Sequence, residues 1–291
     1  MAYPMLESPL GDKYLYDGKF IDRDSIEAKE ISVPTEEVTY YETIRIKDGV
    51  MLYSEDHLAR LDKSVQGIEA FDVDVNKIGD DCRMFLKETG YANGYNGNLR
   101  IVLTKSHLLV HICEANIPTQ EKFDNGINSL TLKWERVAPN IKVFRGDYKQ
   151  AVADTFAREN SDGHPYEIVL CDNEGKYYEG SKSNLFVIVD DKVYSAPDEK
   201  ILLGITRNRV MNSLKNSGAE LVIGTFTMDE MVKLRDEGHK VALFVSSTPF
   251  DILPIRRIDD VVFDSASNEL LKKISSDYVA AADKYISEHR I

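Results

Sequence analysis

Two hydrophobic periods, one of two residues and one near 3.6, take turns along the whole chain, which restricts it to a fold that packs sheets against helices. "VTYYETIRI" (38–46) alternates as a strand, "KDGV" carries an Asp-Gly turn, and "VMLY" (50–53) returns as a second strand. Ser54 is the expected N-cap of a helix over "EDHLARLDKSVQGI", where Leu58, Leu61, Val65 and Ile68 recur at helical spacing. A second helix is expected around "DDCRMFLKETG" (80–90), stopped by its glycine. "NLRIVLTKSHLLVHICEANI" reads as a tight hairpin and "NSLTLKWERV" (128–137) as another strand. After Pro139, "GDYKQAVADTFAREN" (146–160) carries the stripe Tyr148, Ala151, Val152, Thr155 and Phe156 of an amphipathic helix. Strands separated by turn signals fill 166–197, a helix over 205–218 stops at Gly218, and "KVALFVSSTPFDILPI" (240–255) is an apolar strand leading into a polar turn. The tail from Ser267 is a helix buried through Leu271, Ile274, Tyr278 and Ala282. The expected class is α+β (mixed α/β). A length of 291 residues and the shift near 133–140 suggest two domains, a smaller N-terminal α/β domain over 1–135 and a larger C-terminal one over 136–291.

Charge narrows the partners. Acidic residues outnumber basic ones 49 to 36, a net −13, which disfavours nucleic acid and anionic membrane surfaces and leaves small molecules in locally positive pockets. The 3 cysteines, Cys82, Cys113 and Cys171, are far apart and form no C-x-x-C, which fits a reducing, cytoplasmic setting. The start "MAYPMLESPL" lacks the pattern of a signal peptide, and no apolar run reaches membrane-spanning length. His107 and His111 share a face but lack a third ligand at metal spacing, so no metal is expected.

Several residues carry possible chemistry. Lys142 lies in the extended approach to the helix that starts near Gly146, where it can point into a cleft or into solvent. Lys149 lies roughly 100° round that helix from Tyr148, at the stripe's edge, and reads as a snorkelling surface lysine. A lysine that condenses with a carbonyl needs partial burial, so that its amine is not permanently protonated. Glu179 in "YYEGSKSNLFVIV" stands at a strand end beside Gly180, either as a solvated turn acid or as the partner of a cationic N–H. In "LLGITR", Gly204 allows a tight turn and Thr206 is the expected cap of the following helix, whose first N–H groups make an anion site. "VSSTP" (245–249) offers hydroxyls that line a phosphate or merely turn the chain.

The ordered series "YETIRIKDG", "EDHLARL", the lysine–helix segment, "YEIVLCDNEGKYYEGSKSNLF", "LLGITR" and "FVSSTPFDILPI" resembles the fold-type IV, class IV aminotransferases, which depend on pyridoxal 5'-phosphate. The resemblance runs from about 38 to 255. It implies the two-domain fold-type IV architecture and an aminotransferase moving an amino group from an amino acid to a 2-oxo acid through a lysine Schiff base. It implies Lys142 as that lysine, in preference to Lys149, because "IK" matches the family's strand-end lysine and Tyr148 its helix aromatic. Glu179 matches the glutamate at the pyridine nitrogen. Ile205, Thr206 and Thr248 match phosphate ligands, as does Arg60 in "EDHLARL". Tyr41 matches an aromatic lining the substrate side, and Arg100 in "NLRIV" is expected to serve a substrate carboxylate. A homodimer is also implied. The spacing from Lys142 to Tyr148 is longer than the family pattern, and "LTKSHLLVHIC" is short where many relatives carry an arginine-bearing loop. Two alternatives stay open: an aminodeoxychorismate lyase-type enzyme that releases pyruvate, and a non-catalytic descendant of the fold.

Overall fold

The computed structural model describes residues 3–290, the Tyr3 side chain excepted. It divides into two compact units, one made of Met1–Ile117, Ile141–Asp147 and Ala282–Ile291, the other of Pro118–Asn140 and Tyr148–Ala281. The expectation from sequence has one boundary at 135/136 instead. Residues 118–135 group with the second unit because the strand Ile127–Lys133 pairs in parallel with Glu167–Cys171 and with Asp251–Ile258.

The first unit is built on a six-stranded sheet in the order Lys19–Asp22, Pro9–Tyr16, Leu108–Cys113, Gly97–Leu103, Tyr40–Lys47, Val50–Met51, with every neighbouring pair antiparallel. Along Tyr40–Lys47 burial alternates strictly, so Tyr40, Glu42, Ile44 and Ile46 share the buried face. That face packs with the helices Ser54–Gln66 and Val75–Glu88 through Leu58, Leu61, Val65, Ile78, Cys82 and Phe85. Ser54 is not the cap expected of it. Tyr53 occupies the N-cap with φ 54°, its buried ring 4.6 Å from Tyr285, and Ser54 is the first helical residue. The next helix begins earlier than expected, because Asp74 caps it by accepting the Lys77 N–H at 3.0 Å.

The second unit's sheet has nine strands, and part of it closes on itself. Tyr177–Gly180, Glu167–Cys171, Ile127–Lys133, Asp251–Ile258, Val241–Ser247 and Asn184–Val189 are hydrogen-bonded in turn, and Asn184 pairs back to Glu179. Both faces of these strands are covered, which is why "EIVLC" and "NLFVIV" are buried at every position. One side forms an interior of Val169, Leu185, Val187, Leu243, Val245 and Leu253. The other is covered by three helices. Gly146–Phe156 contributes Tyr148, Val152 and Phe156, Ile205–Ser217 contributes Val210 and Leu214, and Glu269–His289 contributes Leu271, Ile274 and Tyr278. The first of these stops at Phe156, short of the expected 160, because Asn160 and Gly163 exchange backbone hydrogen bonds in a separate turn. Among the described residues no helix is long and apolar enough to cross a membrane.

Candidate active site

Glu42 is an acid in an apolar register. Strand alternation places it on the buried face of the first unit's sheet, fully shielded from solvent. A buried charge is tolerated only when paired, and the adjoining helix supplies two partners. Arg60 donates through Nε and Nη2, each at 2.7 Å, and His57 Nδ1 lies 2.7 Å from the same carboxylate. Burial alone would raise the Glu42 pKa. The Arg60 charge, with the hydrogen bonds from Arg60 and His57, outweighs it and holds the carboxyl at about 2. Burial lowers the His57 pKa, opposed by Glu42, so the ring is neutral at pH 7 and donates its Nδ1–H. Arg60 therefore has its Nε/Nη2 edge fixed by this chain.

Lys142 belongs to the short returning segment of the same unit. Val143 forms an antiparallel bridge with Tyr40, the Lys142 carbonyl accepts the Tyr41 N–H at 3.3 Å, and the Phe144 N–H donates to Thr39. In such an extended segment residues 142 and 144 point the same way, and both meet Tyr41. The Lys142 Nζ lies 4.4 Å from the centroid of the Tyr41 ring, and Phe144 stacks on that ring at 4.1 Å and 5°. The amine thus rests against the face of the Tyr41 ring. Arg100 also faces Tyr41, at 5.8 Å, and its Nη1 donates to Glu7 at 2.9 Å.

In the second unit Glu179 is buried, 1% exposed, with Arg136 Nη1 at 3.2 Å and the Leu202 N–H donating to Oε2 at 3.2 Å. The Leu202 carbonyl in turn accepts from Asn184 Nδ2 at 2.8 Å. Two sequence motifs, "EGSKSN" and "LLGIT", are thus clamped together at one residue. Gly204 is the N-cap of the helix Ile205–Ser217, and a Cβ there would come within 2.2 Å of Asn184 Oδ1, so the turn needs glycine for close approach. Thr206 is not the cap expected of it. It lies inside the first turn, buried, and the glycine N-cap makes no side-chain cap. A glycine N-cap offers the leading N–H groups no side-chain oxygen of its own, an arrangement that suits an anion. Ser246 pairs across the sheet with Asn184, and its buried Oγ has no hydrogen-bond partner among the described residues. Thr248 follows two residues later, half-buried in the turn after that strand.

Tyr148 donates its phenol proton to the Ser181 carbonyl at 2.7 Å, and its ring lies 5.7 Å from Trp134 and 5.4 Å from the Arg136 guanidinium. Glu167, fully buried, holds the same loop by accepting from the Ser181 N–H, the Ser181 Oγ and the Ser183 Oγ. Lys149 is half-buried on the same helix as Tyr148. His111 is buried with Nδ1 donating to the Ile112 carbonyl, whereas His107 precedes that strand and pairs with Asp17.

Of the residues singled out from sequence, Tyr41, Arg60, Arg100 and Lys142 lie in the first unit, and Tyr148, Glu179, Ile205, Thr206 and Thr248 in the second. Within the first, Tyr41 gathers Lys142 and Arg100. Within the second, Glu179 reaches the turn that precedes Ile205 and Thr206. Sequence reasoning missed Glu42, His57, Arg136, Glu167 and Asn184. Glu42 was detectable as an acid on the apolar face of an alternating strand, and Glu167 as an acid opening the apolar run "EIVLC". Asn184 closes the "EGSKSN" motif, whereas Arg136 carried no such signal.

The family model for amino-transferase class IV matches residues 39–258. A D-alanine aminotransferase of Bacillus licheniformis is 26% identical over 285 residues, covering 90% of this chain and 93% of that one. A branched-chain-amino-acid aminotransferase of Pseudomonas aeruginosa is 31% identical over 197 residues, covering 63% and 62%. Among solved structures, the branched-chain amino acid aminotransferase of Escherichia coli superimposes with a TM-score of 0.71 at 18% identity, covering 94% of this chain and 95% of that one.

Proposed function

We propose, on the premise that this chain belongs to the class IV aminotransferase family and is a pyridoxal 5'-phosphate-dependent aminotransferase, that Lys142 is its cofactor-holding amine and proton carrier. The chain's own donor set fits such a group. Glu179 is a buried carboxylate suited to a protonated ring nitrogen, and the uncapped helix start at Gly204, with the Thr206, Ser246 and Thr248 hydroxyls, suits a phosphate monoester. When bound, the cofactor supplies an aldehyde and an electron-withdrawing ring that takes up the electron pair released at substrate Cα.

The chain's residues do the rest. Lys142 Nζ would take the proton from the Cα of the amino donor and hand it on within the same half-reaction, and in the second half-reaction would deliver a proton to the Cα of the new amino acid. Glu179, its Oε2 steadied by Leu202, stabilises positive charge on the ring nitrogen. Tyr148, anchored through Ser181, orients its phenol oxygen as an acceptor. Arg60, braced by Glu42, contributes positive charge toward the phosphate, and Arg100 with Tyr41 receives the substrate carboxylate. The observation that carries this reading is the clamp at Leu202, which makes the buried acid and the anion-binding turn one hydrogen-bonded piece. The relatives' names favour transamination over pyruvate-releasing elimination. The acceptor is a 2-oxo acid and the donor an amino acid. Three cysteines that are buried and unpaired support a cytoplasmic setting, and the homodimer rests on the family resemblance; two chains per particle by light scattering is the expected result.

Borohydride reduction of the cofactor-loaded protein followed by peptide mapping tests the assignment. A pyridoxyl label on Lys142 is expected, and a label on Lys149 would overturn the residue while keeping the class. The turn has its own test. Gly204→Ala should push Asn184 off Leu202, weaken cofactor binding, and lower the rate by up to about 100-fold, the cost of misplacing reacting groups by an ångström. Trp134 is the chain's 1 tryptophan and lies beside Tyr148, so its fluorescence quenching on cofactor titration reads the affinity directly.

A further inference from the structure

The Arg100 guanidinium already holds a carboxylate of this chain. Its Nη1 donates to Glu7 Oε2 at 2.9 Å, with the arginine side chain 17% exposed and that of Glu7 30%. We propose that Glu7 is a specificity-determining residue, an internal carboxylate that a substrate carboxylate must displace from Arg100. This rests on the reading of Arg100 given above.

The surroundings favour displacement of the Glu7 side chain over movement of its backbone. On one side the Leu6 N–H donates to the Ile31 carbonyl, and Met5 and Leu6 are buried; on the other the Ser8 carbonyl accepts from the Glu114 N–H. The main chain is therefore pinned on both flanks while a flexible, partly exposed side chain spans to Arg100. Arg100 is held from its own side. It sits opposite His111 and Thr43 in the sheet, on the face that also carries Tyr41, and its guanidinium lies over the Tyr41 ring. A guanidinium presents five N–H donors in a planar fork suited to a carboxylate, and the Glu7 contact is made through Nη1 alone. His111 adds no positive charge. Its Nδ1–H is committed to the Ile112 carbonyl, and burial, with the nearby Arg100 charge, pushes its pKa down to about 4. Glu7 thus largely cancels the charge that an incoming carboxylate would seek. It competes for the same donors and repels any anion that approaches.

The consequence is selectivity. Ligands whose carboxylate must reach Arg100 are penalised, while amines lacking a carboxylate are not. The test uses the cofactor-loaded protein. Calorimetric titration with glutarate, an unreactive dicarboxylate, should give binding about tenfold tighter in Glu7→Gln than in the wild type, with Glu7→Asp in between. In steady-state kinetics the same variant should lower KM for amino-acid donors and leave KM for their decarboxylated analogues unchanged. If Glu7 instead holds Arg100 ready for substrate, Glu7→Gln will weaken glutarate binding and raise KM. Either that result or no change overturns the proposal. Arg100→Met separates the two layers. If it leaves glutarate binding intact, the assignment of Arg100 fails; if it abolishes binding while Glu7→Gln has no effect, only the displacement idea fails. Thermal melts of each variant identify loss of fold, and Glu7→Asp, which keeps the charge, carries the comparison if Glu7→Gln does not fold.

Discussion

Lys142→Ala should lower kcat for transamination by about 10²–10⁴-fold from the lost acid–base step alone, with a further loss because the cofactor is no longer covalently held. Lys142 Nζ lies over the Tyr41 ring, on a segment whose backbone is hydrogen-bonded to Thr39 and Tyr41. Truncation therefore removes the amine while leaving those main-chain contacts in place, and the variant should melt near the wild-type temperature. Borohydride should no longer attach a pyridoxyl group to this peptide. Added methylamine should restore part of the rate, because a soluble amine can move the proton although it cannot tether the cofactor. Lys142→Arg should not be rescued in the same way, since a guanidinium stays protonated and fills the space. Rescue and kcat measured on the same preparations check this. Full activity in Lys142→Ala would remove Lys142 from the chemistry.

Glu42→Gln has the largest expected effect on stability. It leaves the Arg60 charge in a buried site without its counter-charge, and breaking a buried pair in this way costs about 3–5 kcal/mol. For a chain of this size that lowers the melting temperature by roughly 10 °C. The pH dependence of the wild type should report the same group. The Glu42 carboxyl has a folded pKa of about 2 against 4.5 for the ordinary side chain. A group depressed on folding stabilises fully above its unfolded value. Its contribution, on the order of 3 kcal/mol, should fade as pH falls below 4.5 and vanish below 2. His57 acts in the same direction. Its folded pKa lies below 6.5, so the unfolded chain binds the proton first and stability begins to fall as pH drops through that value. Urea melts from pH 7 to pH 3 on wild type and Glu42→Gln check both statements. The slope of stability against pH below 4.5 should be shallower in the variant.

Much of this architecture was legible in the chain. The stripe Leu271, Ile274, Tyr278 and Ala282 is buried as its spacing requires, and the helix over 205–217 stops at Gly218 with φ 76°. The hairpin Gly97–Leu103 with Leu108–Cys113 also forms as read. Each of these rests on one repeat and one local stop signal. The helix Met228–Asp236 went unread although Thr227 and Glu230 form a capping box, a signal present in "TMDE". The caps assigned to Ser54 and Thr206 failed because a cap depends on where the preceding strand or turn delivers the chain. Tyr53, anchored by its ring, and Gly204, pressed against Asn184, fix those entry points.

Sequence by itself determined the mixed α/β class, the membership carried by the ordered motifs, and the identity of the chemical groups, because these follow from local periodicity and residue type. Only the tertiary structure decided which groups lean on one another: Arg60 on Glu42, Glu179 and Asn184 on Leu202, Tyr148 on the Ser181 loop that Glu167 secures, and Arg100 on Glu7. Those pairings join residues as far as 93 positions apart. Burial makes the pairings of Glu42 and Glu179 obligatory, since a desolvated charge must find a partner wherever the chain has placed one, and no periodicity along the sequence records that distance.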